Sequence, residues 1–294
     1  MIQAVNFHLW EPCNMRCQFC FATFQDVKKS ILPKGHLPKE RAIEVVSKLA
    51  QAGFQKITFA GGEPTLCGWL TELIATAKNA GLTTMIVTNG TNLTDEFLLA
   101  NQNTLDWIAL SVDSLNDVTN LATGRAISGK KPVTKAKYFE LVDRISHYGY
   151  GLKINTVVSV KNCDENMLDF IAHSKPSRWK ILQVLPIIGQ NDQKIDPFLI
   201  SKKQFHNFLE NHKIIENVTK IVPETNDQMK GSYVMVDPAG RFFDNTTGEH
   251  YYSDPILEVG YEAAIRQMNY DAIKFDERGG NYDWKRTRLK VALI

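Results

Sequence analysis

From its start to about Val184 the sequence alternates short β-rich runs with helix-period segments, a pattern that commits a chain to a parallel sheet with right-handed crossovers. The runs are Val5 to Trp10, Lys56 to Ala60, Thr83 to Thr88, Trp107 to Ser111, Gly151 to Val158 and Trp179 to Val184. Between them, Pro38 to Ala52 sets Ala42, Val45, Val46 and Leu49 at helical spacing, and Leu66 to Ala80 reads the same way. Six such units predict an α/β fold, a partial (βα)6 barrel. After Pro186 the rhythm changes to one helix, Ser201 to His212, and short strands near Tyr233 to Val236 and Arg241 to Phe243. This reads as a C-terminal α+β extension closing the barrel, dividing the chain into residues 1–186 and 187–294. The last stretch, from Arg278 to Ile294, reads as a basic tail that orders late. One domain with an elaboration suits 294 residues.

With 34 basic against 32 acidic side chains the formal charge is +2, which supplies no global field for nucleic acid or an anionic membrane. Any attraction for anions must be local. No signal-peptide core and no apolar run approaching roughly 20 residues is present, so a soluble, cytoplasmic protein is expected, and nothing requires an oligomer.

Three of five cysteines, Cys13, Cys17 and Cys20, fall within eight positions, a spacing that fits a metal or redox site in a reducing compartment. Cys67 and Cys163 read as ordinary buried thiols. Three thiolates can hold three irons of a [4Fe-4S] cubane and leave the fourth open to a small chelating molecule. On the cysteines alone, a zinc site with His8 as fourth ligand remains the alternative. Gly61-Gly62-Glu63-Pro64 follows the second run, at the strand end where βα barrels carry active sites. The glycines permit close backbone approach, and Glu63 can accept a hydrogen bond from an ammonium group.

Strand parity describes the lumen. Val5, Phe7, Leu9, Ile57, Phe59, Leu152, Ile154, Trp179 and Ile181 point to the helices, which turns Asn6, His8, Lys56, Thr58, Lys153, Asn155, Arg178 and Lys180 inward. Four buried cations are costly unless an anion compensates them, by several kcal/mol each. Two uses fit the pattern: a polyanionic ligand, or Lys56 and Arg178 at strand starts reaching solvent at the bottom of the barrel while Lys153 and Lys180 pair with carboxylates. The chain has no GxxxxGK loop, so phosphates would be held by these separated side chains.

CxxxCxxC together with GGEP, and Phe19 at the aromatic position before the third cysteine, resembles the radical S-adenosylmethionine (SAM) superfamily. The resemblance implies a [4Fe-4S] cluster and S-adenosylmethionine as cofactors, with Phe19, Gly61, Gly62 and Glu63 beside the latter. Within it, the segments VNFH at Val5 to His8, FAGGEP, SVDS at Ser111 to Ser114, TGR at Thr123 to Arg125, LKINTV, SRWKILQ, VPETNDQMKGSY and ERGGNYDW are similar to the viperin family. Members convert a ribonucleoside triphosphate to its 3′-deoxy-3′,4′-didehydro analogue, an antiviral chain terminator. By that resemblance Asn89, Ser111 and Arg125 contact S-adenosylmethionine, Arg125 at its carboxylate. Lys56, Lys153, Arg178 and Lys180 grip the triphosphate; Asn6, His8 and Asn155 lie near ribose or phosphate oxygens; Lys230 and Arg278 close over the nucleotide. It also implies an electron donor such as a flavodoxin or ferredoxin. Unlike animal viperins, the sequence shows no N-terminal amphipathic helix, so membrane attachment is not expected. Another radical SAM enzyme acting on a phosphorylated small molecule or peptide is the alternative.

Overall fold

The computed structural model describes residues 2–285. Arg286, Arg288 and Lys290 of the expected basic tail lie outside them. The strands are β1 (Ala4–His8), β2 (Lys56–Ala60), β3 (Thr83–Thr88), β4 (Trp107–Ser111), β5 (Ala126–Ile127), β6 (Lys131–Pro132), β7 (Gly151–Val158), β8 (Arg178–Gln183), β9 (Lys220–Glu224), β10 (Met235–Val236), β11 (Arg241–Asp244) and β12 (Tyr251–Pro255). Ten of them form one sheet in the order β12-β11-β10-β1-β2-β3-β4-β7-β8-β9, while β5 and β6 pair as a separate hairpin. Pairing is parallel from β10 across to β9 and antiparallel only through β10, β11 and β12.

Helices α1 (Lys39–Gln51), α2 (Leu70–Asn79), α3 (Asp95–Asn101), α4 (Asp117–Ala122), α5 (Lys135–His147), α6 (Leu168–Ser174) and α7 (Lys202–His212) connect the parallel strands. The apolar stripe of α1 is buried as its spacing requires: Ala42, Val45, Val46 and Leu49. Thr94, Thr134 and Ser201 cap α3, α5 and α7 through their hydroxyls, and Gln204 completes a capping box with Ser201. The helix expected from Leu66 begins at Leu70. Pro64, with Glu63 accepting from the Thr65 N–H, sets up a short 3-10 turn first.

All nine side chains assigned by parity to the helix side lie in the main core. Each such burial is worth about 1.5–3 kcal/mol. The opposite face is less uniform than four strands suggested. Met85, Trp107 and Ala109 line it on β3 and β4, and Met235 and Phe243 join Phe24 on the far side.

The extension does more than close one end: β9 continues the sheet beyond β8, with α7 as its crossover, and β10 pairs in parallel with β1. β9 escaped the sequence reading because Pro223 interrupts its apolar run, a residue tolerated where a strand has a neighbour on one side only. No helix among the described residues is long and apolar enough to cross a membrane.

Candidate active site

The loop after β1 carries Cys13, Cys17 and Cys20 at the C-terminal end of the parallel strands. It is pinned from outside: the Arg16 N–H donates to the Gly124 carbonyl (3.0 Å), the Gln18 N–H to Thr123 (3.0 Å), and Met15 bridges to Ile127. Gly124 has φ +74, and a Cβ there would stand 2.1 Å from the Arg16 carbonyl oxygen, so only glycine permits this approach. The three thiols are free and half-buried, and Cys17 lies close enough to feel both others. Burial raises all three above the usual thiol range, Cys17 to about 12, against the pull of Arg125. Thiols so placed become thiolates when a metal takes the proton's place, which suits an iron-sulfur cluster. His8, the candidate fourth zinc ligand, packs instead against Phe21, Phe24 and Phe243. Burial, with His250 nearby, pulls its pKa down to about 3, so the ring is neutral.

The GGEP segment is seated directly against the chain leading into this loop. The Gly62 N–H donates to the Trp10 carbonyl (2.7 Å) and the Glu63 N–H to Pro12 (2.9 Å). A Cβ on Gly62 would stand 2.2 Å from both the Glu11 and Pro12 carbonyl oxygens. Buried Glu63 faces inward: Oε1 accepts from the Thr65 N–H (3.1 Å), the Thr65 hydroxyl (2.6 Å) and the Thr88 hydroxyl (2.6 Å), and Oε2 from the Asn89 N–H (2.8 Å). It thereby ties the ends of β2 and β3 together, a role its sequence position did not reveal. Asn89 extends the tie to the cysteine loop, donating to Asn14 Oδ1 (2.8 Å) while its own Oδ1 accepts from the Thr91 N–H (3.0 Å).

Ser111, at the end of β4, and Asn155, inside β7, are register partners, and neither side chain is hydrogen-bonded among the described residues. Arg125 is buried beside the cysteines. Its Nε donates to Asp113, and the guanidinium lies 5.8 Å from the centre of the Phe19 ring. Burial opposes this charge, but Asp113 more than offsets it and keeps the group protonated. Asp113 was not foreseen.

At the other end of the strands the cations converge. Lys56 donates to the Tyr282 hydroxyl (3.1 Å), as does Lys153, and Arg178 stacks on the same ring with its Cζ 4.3 Å from the centroid. Arg178 also donates to the Gly279 carbonyl (2.7 Å). Lys180 and Arg278 share fully buried Glu224 at 2.7 and 3.1 Å, and Tyr233 donates to the same carboxylate. Burial and then the mutual repulsion of the cations push Lys56 down to about 7 and hold Lys153 well below the usual lysine range. Burial works to raise the Glu224 carboxyl, yet Lys180 and Arg278 hold it below its ordinary value.

The structure therefore brings Lys56, Lys153, Arg178, Lys180 and Arg278 together. Among the described residues the first three form no ion pair with a carboxylate. Asn6 is half-buried on the lumen side of β1. The Lys230 side chain lies beside Gly248, and its carbonyl accepts from Lys274 Nζ (3.5 Å). Sequence reasoning missed Glu224, Tyr233, Tyr282 and Trp284. The last two close the bottom of the barrel, with the Trp107 Nε1 donating to the Trp284 carbonyl (2.9 Å), so the chain as far as Trp284 is docked.

A cysteine loop and glycine-rich strand end at one mouth of a parallel barrel, with cations at the other, agree with the profile of the radical SAM superfamily, which matches residues 10–173. That makes the chain a radical SAM protein by class. Native anSMEcpe with bound AdoMet and Kp18Cys peptide has the same fold, at TM-score 0.72 and 15% identity over 95% of this chain and 83% of that one. A protein of Flammeovirga pacifica is 55% identical over 97% of both chains, and one of Lacinutrix mariniflava is 64% identical over 96% of this chain. Both are described as S-adenosylmethionine-dependent nucleotide dehydratases, as is the RSAD2 protein of Danio rerio, 34% identical over 98% of this chain and 80% of its own. The chain belongs to this nucleotide dehydratase family, the viperins. It spans 59% of the length of the Lacinutrix relative.

Proposed function

We propose that the protein converts a ribonucleoside triphosphate to its 3′-deoxy-3′,4′-didehydro analogue, with loss of the C4′ hydrogen and of the 3′-hydroxyl as water, and that the product serves antiviral defence. The observation that carries this reading is the convergence of five cations, with Glu224 as their one partner carboxylate among the described residues, in the lumen of a radical SAM barrel. A carbon-radical enzyme acting on an uncharged substrate has no use for such a charge density, whereas a triphosphate compensates it.

Cys13, Cys17 and Cys20 would hold a [4Fe-4S] cluster, which with S-adenosylmethionine supplies, when bound, the one-electron chemistry that removes a hydrogen atom from substrate. Arg125, oriented by Asp113, keeps its remaining N–H groups for the S-adenosylmethionine carboxylate. Gly61 and Gly62 let the backbone approach its ammonium group, with Glu63 bracing the segment. Asn89, Phe19 and unengaged Ser111 complete that wall. Lys56, Lys153, Arg178, Lys180 and Arg278 would hold the phosphates, with Tyr282 and Glu224 balancing the cations until an anion arrives. Asn6, Asn155 and His8 would lie near ribose or phosphate oxygens, and Lys230 would close over the nucleotide. On this reading residues 1–186 supply the cofactor site and 187–294 complete the nucleotide site. Three metal-binding thiols require a reducing compartment, which supports a cytoplasmic location and a flavodoxin or ferredoxin as reductant.

The test is anaerobic reconstitution followed by incubation with each of the four ribonucleoside triphosphates. One of them should accelerate S-adenosylmethionine consumption and yield a product lighter by one water in mass spectrometry. If none does, the proposal fails. Lys153→Ala should raise the triphosphate requirement with iron content unchanged.

A further inference from the structure

A radical SAM enzyme must receive electrons from outside, and the side of the cysteine loop facing the lumen is the side committed to substrate. The outer wall of that loop is the β5–β6 hairpin with α4. Ser128 donates its N–H to the Asn14 carbonyl (2.7 Å), Ile127 bridges Met15, and Gly129 packs against the Arg16 side chain. These contacts join the hairpin directly to the residues flanking Cys13 and Cys17.

Two properties set this wall apart. Its charge is mainly basic: residues 12–25 and 118–139 contain no aspartate or glutamate, Arg16, Lys130, Lys131 and Lys135 are all exposed there, and the carboxylates bordering it are exposed Asp117, Glu140 paired with Lys137, and half-buried Glu165, which accepts from Thr119. In a chain with 34 basic and 32 acidic side chains this is a local excess, not a reflection of composition. Lys130 and Lys131, at the hairpin tip, form no ion pair among the described residues. Arg16 is already spent on the Cys13 and Met15 carbonyls, at 2.6 and 2.8 Å. The second property is apolar: Val118 and Leu121, one turn apart on α4, are 73% and 42% exposed. Asp117 is the single carboxylate on that helix.

We propose that this face is the docking surface for a small acidic electron-transfer protein. Charge steers such a partner and brief apolar contact lets it approach, which suits a redox encounter of less than about 1,200 Å². The proposal rests on the reading that Cys13, Cys17 and Cys20 hold the cluster, and the experiment separates the two.

The K130E/K131E double variant is compared with the unaltered holoenzyme, with flavodoxin, its reductase and NADPH as one electron source and dithionite as the other. At about 20 mM salt the flavodoxin-driven rate of S-adenosylmethionine cleavage should fall about tenfold, and the difference should shrink at about 0.5 M salt. The dithionite-driven rate should stay within about twofold, since a small reductant needs no docking surface. Titration calorimetry should show weaker flavodoxin binding in parallel, and K202E/K203E on α7 should change neither quantity. An unchanged flavodoxin-driven rate, or an equal fall with both reductants, overturns the docking surface. Absence of dithionite-driven cleavage by the unaltered protein overturns the cluster reading and the docking surface with it.

Discussion

Replacing Lys56 by methionine should stabilise the ligand-free protein and weaken its response to triphosphate. The ammonium group is buried and donates to Tyr282, and burial followed by the charges of Lys180, Arg278 and Arg178 brings its pKa to about 7. The unfolded chain holds this proton up to its ordinary 10.5. Folding is therefore opposed in full below about pH 7, progressively less as pH rises, and not at all above 10.5. At ~1.4 kcal/mol per pKa unit the opposition approaches about 5 kcal/mol as an upper limit. Relaxation of the site and the lost hydrogen bond to Tyr282 bring the expected gain to about 2 kcal/mol. Methionine keeps the straight apolar stem, so no large void opens. With an unfolding entropy of about 2.1 cal/mol/K per residue, that gain raises Tm by about 3 °C. Anaerobic scanning calorimetry at neutral pH, with and without triphosphate, reads both effects. The unaltered protein should gain more Tm with triphosphate than the variant, and the difference between the free proteins should close as pH rises toward 10.5. Triphosphate binding by the unaltered protein near neutral pH should also take up protons, because an anion restores the lysine's charge. A variant that melts below the unaltered protein, or that gains as much from triphosphate, refutes the reasoning.

Glu224→Gln removes the carboxylate that Lys180 and Arg278 share in a fully buried site. The variant should lose about 3–5 kcal/mol of stability, visible as a lower Tm, and an unchanged Tm would mean the cations are balanced by other groups. Gly62→Ala puts a Cβ 2.2 Å from the backbone oxygens of Glu11 and Pro12 and must displace the chain entering Cys13. Iron and labile sulfide should fall sharply while far-UV circular dichroism is retained, whereas Gly68→Ala, with nothing within 4 Å of the new Cβ, should bind a full complement.

The sequence by itself determined the elements and their facing. Period-2 and period-3.6 patterns are local properties of the chain, and β2, β3, β4 and β7 begin and end where those patterns do. Parity likewise sent Lys56, Lys153, Arg178 and Lys180 to one face before any contact was visible, because alternation follows from the pleat alone. CxxxCxxC and GGEP were legible because their spacing is short and their chemistry specific. Tertiary structure decided what depends on which distant segments meet. β9 joined β8 despite Pro223, since an edge strand needs only one neighbour. Glu63 turned to Thr88 and Asn89, and Glu224, Tyr233 and Tyr282 came to balance the lumen cations. No periodicity encodes such pairings, because a buried charge takes whatever partner the folded chain brings within reach.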